Sequence, residues 1–243
     1  MEQVYLGIVL APLFGAVLAG LFGKYIGRSG SHWVTIAGVA VSCALSLLVF
    51  KQIIIDGAAP FNGAIYTWMV SDGIRFEIGF LVDQLTALMM VVVTFVSLMV
   101  HIYTIGYMHD DSGYQRFFSY IALFTFSMLM LVMSNNFLQL FFAWEAVGLV
   151  SYLLIGFWFQ RESAIYANLK AFLVNRVGDL GFLLGIAAIL MHFNTLDYAQ
   201  VFKAAPHLAH ETVTFISGYE WSLMTVICIL LFIGAMGKSA QVP

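Results

Sequence analysis

The sequence predicts an all-α polytopic membrane protein, on the grounds of its composition, its long apolar runs and a few charges placed inside those runs. Of the 243 residues, 62% are hydrophobic and 9% are charged, whereas an average soluble domain is about 45–50% apolar and about 25% charged. So few charges cannot cover the surface of a soluble enzyme. A nucleic-acid-binding protein needs a basic face, which a net charge of −3 does not supply. We therefore expect the apolar surplus to face lipid.

Seven apolar runs are long enough to be transmembrane helices, because crossing a bilayer takes about 20 mostly apolar residues. The runs cover residues 3–23, 33–55, 80–106, 117–133, 137–159, 171–191 and 221–242. Trp33 and Trp221 open two of them and Trp158 stands near the end of another, which is typical of aromatic residues at a membrane interface. The first run is too long for a cleaved signal peptide, and its basic residues follow it instead of preceding it.

The loop after the second run has the pattern of a β-hairpin. Residues 74–80 alternate apolar residues with polar or small ones, and residues 67–70 are also strand-like. The Asp72-Gly73 step between them is a strong marker of a hairpin turn. We expect a short external hairpin at about residues 65–80, with an irregular loop as the alternative. The loop between the sixth and seventh runs shows no such pattern.

Basic residues in the loops predict the orientation of the chain. One side carries Lys24, Arg28, Arg116, Arg161 and Lys170, and the other carries Lys51, Arg75 and Lys203. Cytoplasmic loops carry an excess of Lys and Arg, and the first loop usually dominates. We therefore expect the N-terminus on the periplasmic side.

Four charged residues are predicted to lie at membrane depth, where an ionised side chain costs at least about 2.5–3.5 kcal/mol. Glu145 is about 12 Å inside its run at about 1.5 Å of rise per residue. Arg176 and Asp179 are three positions apart, so they share one helix face, and Lys238 lies near the end of the last run. Buried carboxylates that face a bundle interior commonly mark ion paths. The alternative is that these charges only hold the helices together.

The last run is expected to be a discontinuous helix. Pro243 cannot donate to the carbonyl oxygen of Ser239 and its ring crowds that turn, and transporters use broken helices at membrane depth to line cavities. The sequence is still apolar where it stops, so we expect a piece of a longer protein. Gly237-Lys238-Ser239 is not a phosphate-binding loop, because Phe232 stands where that motif needs a glycine and the context is a membrane helix.

The remaining polar residues favour structural interpretations. Asp83 and His101 lie near opposite ends of the third run, which favours an interfacial position for each over a place in a proton relay. His207 and His210 are three positions apart, but no Asp, Glu or Cys completes a metal site there. The two cysteines lie in separate apolar runs and form neither a disulfide framework nor a CxxC motif.

A Glu–Lys pair at membrane depth is energetically suited to moving a proton. At about 6 Å and an effective dielectric of about 20, Glu145 and Lys238 would attract each other by about 2.8 kcal/mol. Moving one charge across about 100 mV requires about 2.3 kcal/mol. A movement that opens or closes such a pair therefore has the right size to release or hold a pumped proton.

Three stretches resemble the motifs of one family. Residues 142–158, FAWEAVGLVSYLLIGFW, look like the fifth-helix signature of the largest antiporter-like subunit of respiratory complex I, the NADH–quinone oxidoreductase. KAFLVNRVGD at residues 170–179 and GKSAQVP at residues 237–243 resemble its sixth- and seventh-helix motifs. The family is called subunit L in bacteria and chain 5 in mitochondria, and the resemblance covers essentially the whole chain.

The resemblance implies a membrane subunit that couples quinone reduction elsewhere in the complex to proton pumping. Glu145 and Lys238 would be its Glu–Lys pair, and Arg176 and Asp179 the charged pair that polarises the site. It implies no cofactor in this chain, with NADH, FMN, iron–sulfur clusters and the quinone held by other subunits. The partners would be the other membrane-arm subunits and the lipid bilayer, without nucleic acid. The location would be the bacterial inner membrane, or alternatively the mitochondrial inner membrane.

The implied organisation has two parts. Residues 1–116 would form a three-helix segment with the external hairpin, and residues 117–243 the first part of an incomplete proton half-channel. The nearest rival is the large subunit of a multi-subunit sodium/proton antiporter, which shares the fold and the Glu–Lys pair, although NRVGD at residues 175–179 favours complex I. A rival of another class is a structural membrane scaffold that does not transport.

Overall fold

A computed structural model describes residues 1–71, 73–216 and 218–241 of the chain. In this part the helices are α1 (Glu2–Leu21), α2 (Gly23–Phe50), α3 (Gln84–Tyr107), α4 (Tyr114–Val132), α5 (Phe137–Ile155), α6 (Glu162–Phe193), α7 (Tyr198–Ala204) and α8 (Leu223–Lys238). The strands are β1 (Phe61–Ser71), β2 (Ile74–Val82), β3 (Thr212–Ile216) and β4 (Tyr219–Ser222), which pair as two separate antiparallel hairpins.

Within the described residues, six helices, α1 to α6, are long and apolar enough to cross a membrane, and α8 is a shorter apolar helix. The predicted all-α polytopic membrane fold is confirmed, with six long spans and one short one in place of seven full spans. Helix α8 is continuous and ends at Lys238, where a turn begins. The expected break beyond it involves Val242 and Pro243, which lie outside the described residues.

Some predicted helix ends are wrong because hydropathy detects the apolar centre of a helix and not its caps. Residues 80–82 belong to β2, and α3 begins only after Asp83, whose carboxylate accepts a hydrogen bond of 2.8 Å from the backbone N–H of Thr86. The fifth helix ends at residue 155 rather than 159. The sixth begins at residue 162 rather than 171, since its first turns are polar.

Helices α1 and α2 pack closely around a proline. Pro12 has no N–H, so it leaves the carbonyl oxygen of Ile8 without its helical donor. The Ser42 hydroxyl of α2 donates to that oxygen at 2.6 Å. A β-carbon on Gly38 of α2 would lie 2.6 Å from the carbonyl oxygen of Ala11. The backbones of the two helices therefore touch at this point.

The β1–β2 hairpin is confirmed and is longer than predicted, because β1 begins at Phe61. It lies on the turn between α4 and α5. The backbone N–H of Gly79 donates to Oε1 of Gln139 at 2.9 Å, and Nδ2 of Asn136 donates to the carbonyl oxygen of Glu77 at 3.0 Å. The predicted turn residue Asp72 lies outside the described residues.

The loop between the sixth and seventh spans is structured although its sequence shows no hairpin pattern. This loop contains α7 and the β3–β4 hairpin, in which Thr212 pairs with Ser222 and Val213 with Trp221. Strands this short carry too few positions for an alternation of apolar and polar residues to stand out.

The loops of the opposite face meet around Asp111. Arg28 donates to the carbonyl oxygens of His109 and Asp111, and Nε1 of Trp158 donates to the Asp111 carboxylate at 2.9 Å. The N–H groups of Trp158 and Gly113 hold the pKa of Asp111 below its ordinary value. The start of α2, the loop between α3 and α4 and the connection between α5 and α6 therefore touch one another. The order of spans assigns all three to one side.

His101, for which an interfacial position is expected, has a side chain that is wholly buried within the protein. Its Nδ1 lies 2.8 Å from the carbonyl oxygen of Ser97, and its ring centroid is 6.1 Å from that of Phe118 on α4. Helix α3 continues to Tyr107, so His101 is about 9 Å inside that end. Hydropathy could not show this, because the burial comes from α4.

Candidate functional site

The candidate site lies where α5, α6 and α8 meet, and glycines bring two of these helices together. A β-carbon on Gly178 of α6 would lie 3.4 Å from Cα of Gly237 on α8, and one on Gly234 would lie 2.7 Å from Cβ of Phe182. Small residues at such contacts let membrane helices approach closely. Lys238 follows Gly237 directly, so this contact carries its side chain into the site.

An ion-pair network joins α5 to α6. Nη2 of Arg176 pairs with Oε2 of Glu145 on α5, and the same nitrogen lies 2.9 Å from Oδ2 of Asp179 on its own helix. This confirms that Arg176 and Asp179 share a face. The Asp179 side chain is 5% exposed and that of Glu145 is 24% exposed, so both carboxylates need the guanidinium as a partner.

Trp144 connects Lys238 to this network. Its indole N–H donates to Oδ1 of Asp179 at 2.8 Å, and its carbonyl oxygen accepts a hydrogen bond of 3.0 Å from Nζ of Lys238. Its ring stacks on Phe182 of α6 with centroids 4.9 Å apart and an interplanar angle of 23°. The ring also lies 5.5 Å from Nζ of Lys238, within the range of a cation–π contact.

The structure brings all four predicted site residues into one cluster, but Lys238 and Glu145 are bound to different groups. The carboxylate of Glu145 pairs with Arg176. Lys238 instead binds the backbone carbonyl of Trp144, the residue directly before Glu145. A β-carbon on Gly148, one turn further along α5, would overlap Nζ of Lys238. The amine therefore occupies the space that a side chain at position 148 would take.

Two acids and two bases balance the formal charge of the cluster. Among the described residues, none donates a hydrogen bond to Oε1 of Glu145, which is buried. The amine of Lys238 binds the backbone carbonyl of Trp144, which is next to Glu145 in the chain. Sequence reasoning did not single out Trp144 or Gly148. The sequence signal for them was their position: Trp144 is one residue before Glu145, and Gly148 is three residues after it.

Comparisons with family models give matches over most of the chain. Residues 68–118 match the model described as NADH-ubiquinone oxidoreductase (complex I), chain 5 N-terminus. Residues 134–243, which contain the charged cluster, match the model described as NADH:quinone oxidoreductase/Mrp antiporter, TM.

Two curated proteins illustrate the sequence similarity. The chain is 64% identical over 242 residues to NADH-quinone oxidoreductase subunit L of Neisseria meningitidis serogroup B. The aligned region covers 99% of this chain and 36% of that protein. It is 46% identical over 239 residues to NADH-ubiquinone oxidoreductase chain 5 of Triticum aestivum. Here the aligned region covers 98% of this chain and 35% of that protein. The chain thus spans about a third of the length of the curated relatives it matches.

Two solved structures share the fold at low identity. The Mrp complex from a Dietzia species matches with a TM-score of 0.78 and 22% identity, over 97% of this chain and 24% of that one. The membrane-bound sulfane sulfur reductase, an archaeal respiratory membrane complex, matches with a TM-score of 0.74 and 16% identity. This match covers 95% of this chain and 33% of that one. These likenesses concern the arrangement of the helices.

Proposed function

The chain belongs to the family of NADH-quinone oxidoreductase subunit L, also named chain 5, and from this membership we propose that it forms part of the proton-translocating membrane machinery of that enzyme. Glu145 and Lys238 would carry the proton, and Arg176 and Asp179 would set the electrostatic field around them. One observation carries the proposal. Four ionisable side chains from three helices converge inside the membrane region, where isolated charges are costly.

The contacts suggest how the cluster would handle a proton. Nζ of Lys238 is bound to the carbonyl of Trp144, next to Glu145 in the chain, and Oε1 of Glu145 has no donor among the described residues. A proton released by the amine therefore has a carboxylate acceptor nearby. The Arg176 guanidinium would keep the charge of Asp179 compensated while Glu145 changes its protonation state, because it contacts both carboxylates.

The division of the chain belongs to the same proposal. The cluster lies wholly within residues 117–243, which would form the first part of a half-channel. Residues 1–116 would form a flanking three-helix segment with its hairpin. We propose the bacterial inner membrane as the location, with the N-terminus on the periplasmic side because the first loop is basic.

Partners and cofactors follow from the family. The partners would be the other membrane-arm subunits and the surrounding lipid, and NADH, FMN, the iron–sulfur clusters and the quinone would be held by other subunits. Electron transfer would then reach this chain only through its neighbours.

The test is proton transport by the complete subunit assembled in its complex. Inverted membrane vesicles carrying Glu145→Gln or Lys238→Ala should show fewer protons moved per NADH oxidised than the parent vesicles. Glu162→Gln and Lys203→Ala are matched controls, because both side chains are exposed at or near helix ends, and they should pump normally. Unchanged pumping in both site variants would favour the structural scaffold instead.

The sodium/proton antiporter remains the second candidate, since one matching family model covers both NADH:quinone oxidoreductase and Mrp antiporter and an Mrp complex shares the fold. In that case Glu145→Gln would abolish sodium-dependent proton exchange in vesicles without any substrate for electron transfer. The 64% identity to a subunit L supports the first candidate.

A further inference from the structure

We propose that Trp144 and Gly148 are positioning residues of the charged cluster. The carbonyl of Trp144 is the docking partner of the Lys238 amine, its indole N–H orients Asp179, and Gly148 provides the space for the amine. The inference rests on the proposed function of the cluster and assigns a role within it to two residues that bear no charge.

Trp144 is the point at which α8 is joined to the acidic side of the cluster. Its backbone carbonyl binds Lys238 at 3.0 Å and its side chain binds Asp179 at 2.8 Å. The two contacts use opposite ends of one residue. A displacement of Trp144 on α5 therefore moves the partner of the lysine and the partner of the aspartate together.

The chemistry of a carbonyl partner differs from that of a carboxylate. A carboxylate stabilises the ammonium form of a lysine, since the pair is an ion pair. A carbonyl oxygen is a neutral acceptor that takes a hydrogen bond from any N–H, and both an ammonium and an uncharged amine have N–H groups. Lys238 can therefore lose or regain its proton while it stays docked at Trp144.

Gly148 makes this docking possible. Positions 144 and 148 are four residues apart and lie one above the other on the same face of α5. A β-carbon at position 148 would overlap Nζ of Lys238, and it would lie 3.7 Å from Nη2 of Arg176. Even the smallest side chain would push the amine away from the carbonyl.

The packing role of Trp144 can be separated from its hydrogen bond. The ring stacks on Phe182, and a phenylalanine at position 144 preserves an aromatic contact there while removing the N–H donor to Asp179. Trp158 allows a matched control, because its indole N–H also donates to an aspartate, Asp111, at 2.9 Å outside the cluster.

The first experiment compares Trp144→Phe with Trp158→Phe in the assembled complex. We expect Trp144→Phe to reduce the protons moved per NADH oxidised to the level of Lys238→Ala and to change the pH profile of transport. Trp158→Phe should do neither. In an Asp179→Ala background, Trp144→Phe should have no further effect, because the acceptor of the indole N–H is already removed.

The second experiment compares Gly148→Ala with Gly106→Ala. A β-carbon at Gly106 would have no atom of another element within 4 Å, so this control adds the same methyl group to a membrane helix without a new contact between elements. We expect Gly148→Ala to lose proton transport and to alter its pH profile, with electron transfer retained. Gly106→Ala should match the parent complex in all three measurements.

Native gels and NADH oxidation report assembly in every case. If Trp144→Phe fails to assemble, benzothienylalanine at position 144, which replaces the indole N–H by sulfur at nearly the same shape, removes only the donor. Normal transport and an unchanged pH profile in the position-144 and position-148 variants would overturn the inference, provided that Glu145→Gln and Lys238→Ala are impaired. If those two variants also pump normally, the proposed function itself fails.

Discussion

Several buried hydroxyl side chains among the described residues are bound within their own helix. The hydroxyls of Thr94, Thr104 and Thr125 each donate to the carbonyl four residues earlier, at 2.7–2.9 Å. Such bonds satisfy a polar group in an apolar region without any partner helix. Glu145 and Lys238 differ, because their partners lie on other helices. At the scale of single residues, the charges of the candidate site therefore depend on neighbouring helices, as the buried hydroxyls of Ser42 and Ser119 also do.

Tyr198, outside the membrane spans, gives a prediction about alkaline stability. Burial raises its pKa from 10.0 to about 12. The folded state thus holds the proton more tightly than the unfolded state, so this stability is fully present below about pH 10 and about 2–3 kcal/mol is lost as the pH rises through about 12. We expect Tyr198→Phe to remove this part of the pH dependence, measured by thermal unfolding in detergent at a series of pH values.

At neutral pH the same variant should cost about 1 kcal/mol, because the Tyr198 hydroxyl forms a hydrogen bond of 3.2 Å with the Ser134 hydroxyl. Tyr219→Phe is the matched control, since Tyr219 is 68% exposed and should leave both the neutral and the alkaline stability unchanged. A Tyr198→Phe variant with the parent's alkaline slope would contradict the prediction.

Two pairs of helices in the molecule are joined by specific local contacts. Between α1 and α2 the contact is made by the Ser42 hydroxyl, which replaces the donor that Pro12 lacks. Between α6 and α8 it is made by Gly178 and Gly237. In lipid an unsatisfied backbone carbonyl costs several kcal/mol, so a proline inside a span requires such a donor from a neighbour.

The hydrogen bond from Ser42 to the carbonyl oxygen that Pro12 leaves without a donor predicts that substitutions at positions 12 and 42 have coupled effects on stability. Ser42→Ala should lower the stability of the complete subunit by about 1–3 kcal/mol, since the carbonyl oxygen of Ile8 then stays buried without a donor. In a Pro12→Ala background the helical N–H of residue 12 is restored, and the same Ser42→Ala change should cost markedly less. Thermal unfolding of the four variants in detergent gives the coupling. Equal costs in both backgrounds would show that Ser42 does not serve the proline.

At the scale of the whole molecule, the sequence predicts what one helix or one loop encodes by itself. The apolar runs predict the membrane fold, the Asp72-Gly73 step predicts the first hairpin, and the spacing of Arg176 and Asp179 predicts their ion pair. Each of these features depends on residues close together in the chain. The ends of helices and the very short β3–β4 hairpin were missed because their local signals are weak.

The partner of Lys238 is a different kind of feature. Its choice of the Trp144 carbonyl depends on how far α8 approaches α5, and the glycine contact between α6 and α8 sets that approach. The absence of a side chain at Gly148 matters only once Lys238 is there. Sequence reasoning could therefore name four charged residues of the cluster but not the two uncharged ones that position them.

The two loop faces of the molecule give the last prediction, which concerns the orientation of the chain in its membrane. The face on which Arg28 contacts the loop at Asp111 carries most of the basic loop residues, so it should be cytoplasmic. In a variant without Cys43 and Cys228, a cysteine at the exposed position Ala59 should react with a membrane-impermeant thiol reagent in right-side-out vesicles. A cysteine at Ser29, exposed on the opposite face, should react only after detergent opens the vesicles. The reverse pattern would place the basic face outside and contradict the proposed orientation, whatever the transport measurements show.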